Sequence, residues 1–141
     1  MQFDLQRFIT AQQTDYATAL AEIKQGRKRS HWIWYIFPQI AGLGFSETSK
    51  HYALQNAEEA QTYLNHPILG NRLIEICSEL LKLPTNNATQ VFGTPDDMKL
   101  RSCVTLFAAM PSATPIFQQV LDKFFTGEGD RKTLKIISNK L

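Results

Sequence analysis

Residue type and spacing point most clearly to chemistry in one stretch, Gly26-Arg-Lys-Arg-Ser-His-Trp-Ile-Trp-Tyr-Ile-Phe-Pro-Gln39. Arg27, Lys28 and Arg29 are anion-binding groups, and Trp32, Trp34, Tyr35 and Phe37 follow with flat faces on which a base could stack. Ser30 is placed to cap a following helix, whose first N–H groups could meet a phosphate. Histidine titrates near neutral pH, so His31 could serve as general acid, base or anion ligand. The competing account is structural: Trp32, Trp34 and Phe37 as core, Arg27 to Arg29 as a solvated loop.

A second set lies at Asp96, Asp97, Lys99, Arg101 and Ser102, within two turns of one expected helix. Asp97 and Arg101 stand four apart, the spacing of a surface ion pair. Alternatively Asp97 is a base or orients a ligand while Lys99 or Arg101 contacts phosphate. His31 and Asp97 are thus the candidate catalytic pair. The candidate ligand-binding residues are Arg27, Lys28, Ser30, His31, Trp32, Trp34, Gln39, Lys99 and Ser102.

No metal or cofactor is expected. His31, His51 and His66 are scattered without a spaced carboxylate set, and Cys77 and Cys103 have neither CxxC nor Cys/His spacing. Both cysteines fall inside apolar helical patterns and read as buried structural thiols. P-loop, GxGxxG, HExxH, EF-hand and GxSxG motifs are absent, and Gly42-Leu-Gly44 is only a fragment of a nucleotide fingerprint.

These residues must be positioned by helices. At 141 residues the chain fits one domain, and 43% hydrophobic with 20% charged residues is ordinary globular composition. The spacing predicts a helix from Leu5 to Gln12 and a second from Thr14, closed by Gly26. His31 to Phe37 reads as a short buried helix stopping before Pro38, with a strand as the competing assignment. Ser46 caps a short helix carrying Tyr52, and Asn56 with Glu59 starts another that runs to about Asn65. Pro67 opens the first turn of a helix ending near Leu83-Pro84, and Thr85 to Gln90 reads as a loop. Thr94-Pro-Asp-Asp97 and Thr114-Pro115 are further start signals, and Asp130 caps a last short helix. No alternating β pattern is long enough for a sheet. The expectation is a compact all-α single domain, residues 1–141, of roughly six to eight short helices.

A net charge of +2 is too small to imply nucleic-acid binding, although the Arg27–Arg29 cluster permits local anion capture. No apolar run approaches the ~20 residues that span a bilayer. The N-terminus lacks the basic and apolar regions of a secretory signal, so cytoplasmic residence is expected.

The chain resembles an uncharacterised bacterial family catalogued as domain-of-unknown-function family 1810, sometimes labelled calpastatin-like. The resemblance rests on Gly26-Arg-Lys, Ser30-His-Trp-Ile-Trp, Ile36-Phe-Pro-Gln39, Gly42-Leu-Gly44, Tyr63-Leu-Asn-His-Pro67, Phe92-Gly93, Asp97 with Lys99-Leu100 and Ser102, Thr105-Leu-Phe107, and Gly129-Asp130. It implies a mainly helical domain and carries over no activity. Cys103 stands where the family pattern often has a small residue. Calpastatin-type inhibition relies on disordered segments that fold onto a protease, whereas this composition is that of a prefolded domain. The pattern's polar members, Lys28, Ser30, His31, Gln39, Asp97, Lys99 and Ser102, exceed what packing requires. Their types fit a pocket for an anionic small molecule such as a nucleotide or an ADP-ribose derivative. The alternative is an interaction module that docks a protein through exposed aromatics.

Overall fold

The apolar spacing of the first 24 residues produces one helix, α1 (Gln6–Lys24), where the sequence predicts two. Gln12, at the expected break, lies on the buried face. Its amide donates to the Tyr35 carbonyl at 2.7 Å and the Tyr63 hydroxyl at 3.0 Å, so a polar group on that face is satisfied without interrupting the helix. Residues 3–111 and 113–139 are described by a computed structural model of the chain. Met1 and Gln2, the start of the segment read for a leader, lie outside them.

The chain reverses at Gly26, whose φ of 81° is costly for residues with a Cβ. It re-enters the core as α2 (Ile33–Ile36), a single turn, so the helical assignment holds over the strand. Trp32, Ile33, Ile36 and Phe37 face inward, while Trp34 and Tyr35 are half-buried. After Pro38 an isolated bridge pins the backbone: Leu54 N–H donates to the Gln39 carbonyl (2.9 Å) and Ala41 N–H to the Leu54 carbonyl (2.8 Å). Between the two arms of this bridge lie a glycine-bearing loop and α3 (Glu47–Tyr52), capped by Ser46, whose hydroxyl accepts from Ser49 N–H.

Next come α4 (Ala57–Asn65), α5 (Leu69–Leu81), α6 (Ala88–Phe92), α7 (Asp96–Ala108), α8 (Ile116–Phe125) and α9 (Arg131–Asn139). Asn56 caps α4 through Glu59 N–H at 2.9 Å, and the Glu59 carboxylate returns to Gln55 N–H at 2.7 Å, one residue earlier than in a standard capping box. The described residues thus form nine α-helices, slightly more than expected, and no β-strand. The addition is α6, in the segment expected to be a loop: Asn87 accepts from Gln90 N–H at 3.1 Å and gives the polar stretch a helical start. At α7 the cap position belongs to Pro95, and Thr94 supplies no side-chain cap.

The core centres on α7, which buries Leu100, Cys103, Val104, Leu106 and Phe107 and packs against α2, α4, α6, α8 and α9. On the other side α5 packs on α1, α4 and α8. Cys77 and Cys103 are free and buried, and burial pushes both thiols well above their ordinary pKa. The expected Asp97–Arg101 ion pair does not form. Asp97 is buried and accepts from the Thr89 hydroxyl (2.6 Å) and Met98 N–H (2.8 Å), partners that bring no second charge. Arg101 turns to the carbonyls of Glu128 and Gly129 instead. Among the described residues no helix is long and apolar enough to cross a membrane.

Candidate functional site

The reversal at Gly26 brings residues 29 to 32 back over α1, where Glu22 receives them. Its carboxylate accepts the N–H groups of Arg29 (2.7 Å) and Ser30 (3.0 Å), the Ser30 hydroxyl (2.6 Å) and the Trp32 indole N–H (2.9 Å). Burial pushes the Glu22 carboxyl up, but these four donors, led by the Ser30 hydroxyl, outweigh it and hold the pKa at about 2. Trp32 is 0% exposed and its N–H is spoken for, so it has no face left for a ligand. Ser30 and Trp32 therefore act in building the fold.

A second carboxylate organises the lysines. Asp96, in the first turn of α7, meets the Lys28 ammonium at 2.8 Å and the Lys99 ammonium at 3.2 Å. Each lysine also lies over an indole, Lys28 over Trp32 and Lys99 over Trp34, both at 5.1 Å. Burial raises the Asp96 carboxyl and the two cations lower it further, leaving it below its ordinary value. The Lys28 side chain is only 7% exposed, a buried strut between the Gly26 turn and α7. Lys99, at 24%, reaches solvent.

That solvent is in a cleft of about 410 Å³ between the loop after Gln39 and the face of α7. Trp34, Gln39, Lys99 and Ser102 all line it, joined by Phe45, Ser46, Met98, Asp130 and Lys132. Ser102 donates to the Met98 carbonyl within its own helix at 3.1 Å. Asp130 caps α9 through Thr133 N–H (2.9 Å) and the Thr133 hydroxyl (2.6 Å), so its carboxylate is partly engaged away from a ligand. The Gln39 carboxamide and the Trp34 indole N–H make no hydrogen bond among the described residues. A helix turn sets Trp34, the Leu54 bridge sets Gln39, and Asp96 sets Lys99.

Of the residues singled out in the sequence, four thus converge on one cleft. Arg27 and His31 are exposed and line no part of it. Asp97 faces a separate shallow depression formed by residues 85–89 and the end of α8. His31 lines neither that depression nor the Trp34 cleft, so these two spaces do not bring it to Asp97. No group of three or more His, Cys, Asp or Glu among the described residues could hold a metal ion. Sequence reasoning missed Glu22, Phe45, Asp130 and Lys132. The one available signal was the adjacency of Phe45 to Gly42-Leu-Gly44, since an aromatic on a glycine-bearing loop has little chance of burial.

The chain is similar to the conserved hypothetical protein Rv1873 from Mycobacterium tuberculosis, whose crystal structure was determined at 1.38 Å. The two are 41% identical over 96% of this chain and 97% of that one, with a TM-score of 0.94. No curated protein matches the chain. The family model described as "Protein of unknown function (DUF1810)" matches residues 2–137, nearly the whole length, and the protein belongs to that family.

Proposed function

We propose that the Trp34 cleft binds a small anionic molecule with an apolar or aromatic part, of the nucleotide or ADP-ribose type. The observation that carries this reading is the convergence of Trp34, Gln39, Lys99 and Ser102, from separate stretches of chain, on one cavity of about 410 Å³. That volume lies in the ordinary range for ligand sites, roughly 300–1,000 Å³. Lys99 and Lys132 face one carboxylate, Asp130, across the cleft, and Lys28 balances Asp96 behind them, so the site keeps one net positive charge. The reading is one of binding, with no chemical step assigned. We place it in the bacterial cytoplasm, where buried free cysteines stay reduced.

A thermal-shift screen against nucleotides and NAD derivatives tests the idea. A ligand at ~100 times its dissociation constant should add about 2.7 kcal/mol of stability. Trp34→Ala and Lys99→Met should each reduce that shift, and a flat response of the unaltered protein across the panel sinks the proposal.

Phe45 favours a second reading. It is 82% exposed, and it and the exposed Met98 line the same cleft. An apolar pair at a cleft mouth suits a protein partner. On that account Phe45→Ser abolishes partner capture while leaving any nucleotide-induced shift unchanged.

A further inference from the structure

Asp130, one of the residues lining the cleft, is fixed from both sides of the chain. Its N–H donates to the Thr105 hydroxyl on α7 at 2.9 Å, and Arg101 donates to the carbonyls of Glu128 and Gly129 just before it. Thr133, 0% exposed, donates its N–H (2.9 Å) and its hydroxyl (2.6 Å) to one carboxylate oxygen, Oδ2. A carboxylate has about four acceptor positions, two on each oxygen. The α9 cap therefore occupies Oδ2 and leaves Oδ1, which accepts no hydrogen bond among the described residues.

Opposite charge lines the same cleft without neutralising Asp130. Lys99 is held by Asp96 at 3.2 Å, and neither Lys132 nor Asp130 forms an ion pair among the described residues. Taking a charged acceptor out of water without supplying a donor is costly, so a ligand that covers Asp130 has to bring one. The two lysines decide its kind. An ammonium group on the ligand would meet the like charge of Lys99 and Lys132, which is penalised. Neutral hydroxyls escape that penalty. A vicinal diol brings two O–H donors, the number that Oδ1 can accept.

From this match we infer that Asp130 is a ligand-binding residue that reads the vicinal diol of a sugar phosphate, whose phosphate lies against Lys99 and Lys132. This inference rests on the binding reading above and deepens it. The ligand class becomes a ribonucleotide or related phosphorylated sugar, with its deoxy counterparts rejected.

Isothermal titration with adenosine and uridine monophosphates, their 2′,3′-dideoxy counterparts and inorganic phosphate tests the assignment. At least one ribonucleotide should bind about tenfold or more tighter than its dideoxy counterpart, the scale of hydrogen bonds to a charged group. Asparagine caps helices as well as aspartate does, but its single oxygen would be taken by the Thr133 N–H. Asp130→Asn should therefore erase the preference for the diol while tightening inorganic phosphate, because a negative charge leaves the cleft. Asp130→Ser, which also keeps a cap, should do the same and serves if the asparagine variant is unstable. Lys99→Met should weaken every ligand. Equal affinity for ribonucleotide and dideoxynucleotide overturns the inference. So does a preference that survives in a folded Asp130 variant, or a variant that weakens all ligands by one factor, the mark of a purely structural cap. If Lys99→Met still weakens binding in those cases, the anionic cleft stands and only the role of Asp130 falls. Absence of binding by all five compounds overturns both.

Discussion

Glu22 joins parts of the chain that local sequence keeps separate, because its four donors lie seven to ten positions further on. The consequence is measurable as acid sensitivity. Its pKa falls from the ordinary 4.5 to about 2 on folding, so the unfolded chain binds the proton more tightly. The stabilisation is therefore fully present above about pH 4.5 and is lost as the pH drops towards about 2. Glu22→Gln should cost about 3 kcal/mol at neutral pH, the scale of hydrogen bonds to a buried charge, and the gap from the unaltered protein should close across that interval. Chemical denaturation at pH steps between 7 and 2 checks both statements. Asp96→Asn makes a different point. It strands the nearly buried Lys28 charge and should destabilise by about 3 kcal/mol. The same change removes a carboxylate that competes for Lys99, so any anionic ligand should bind more tightly. Weaker binding by the folded variant would count against Lys99 as the anion contact. Neither carboxylate's role was legible in the sequence. A glutamate in a helix reads as solvated, and only the Gly26 reversal brings its partners to it.

Among the elements, the starts governed by a neighbouring side chain were the legible ones. Ser46, Asn56 and Asp130 each accept from an N–H three residues ahead, a contact written within four letters of sequence. Errors arose where tertiary contact decides. Gln12 satisfies its amide across the core and α1 runs on, while Val91 and Phe92 draw a polar stretch into α6 by burying themselves. The site was half legible for the same reason. Trp34, Gln39, Lys99 and Ser102 carried recognisable chemistry, but their meeting depends on how α2 and α7 pack. Two glycines test element packing directly. A Cβ on Gly70 would fall 2.9 Å from the Leu64 carbonyl carbon, backbone that cannot swing aside, so Gly70→Ala should cost at least about 2 kcal/mol in urea denaturation. At Gly44 a Cβ would lie 2.7 Å from the Ser49 Cβ, forcing the loop off α3 where it walls the cleft. Gly44→Ala should therefore weaken ligand binding severalfold while shifting the melting temperature by only a few degrees, since both residues sit at the surface edge of the fold.

For the molecule as a whole, charge is modest and placement matters more than amount. A net +2 with two lysines at the cleft predicts a shallow salt dependence of binding, unlike the steep decline of a surface that releases many counterions from nucleic acid. Titrating one ligand at low and at physiological salt distinguishes the two, and a steep slope would restore the basic cluster as a nucleic-acid contact. The central position of α7 means that the cleft's floor is also the core's main support. Substitutions on its outward residues, Met98 and Lys99, can change binding without touching Leu100 or Cys103, whose side chains are buried in the core.

The division of labour between Trp32 and Trp34 has an optical consequence. These are the only two tryptophans in the chain. One is sealed in an apolar interior with its N–H bound to Glu22, and the other is half-exposed beneath the Lys99 ammonium. Their emission should differ in colour, with Trp32 blue-shifted and sensitive to unfolding, and Trp34 redder and sensitive to whatever occupies the cleft. Phenylalanine at either position would leave a single-colour reporter, so that one chain can announce its folding and its occupancy on separate channels without a label.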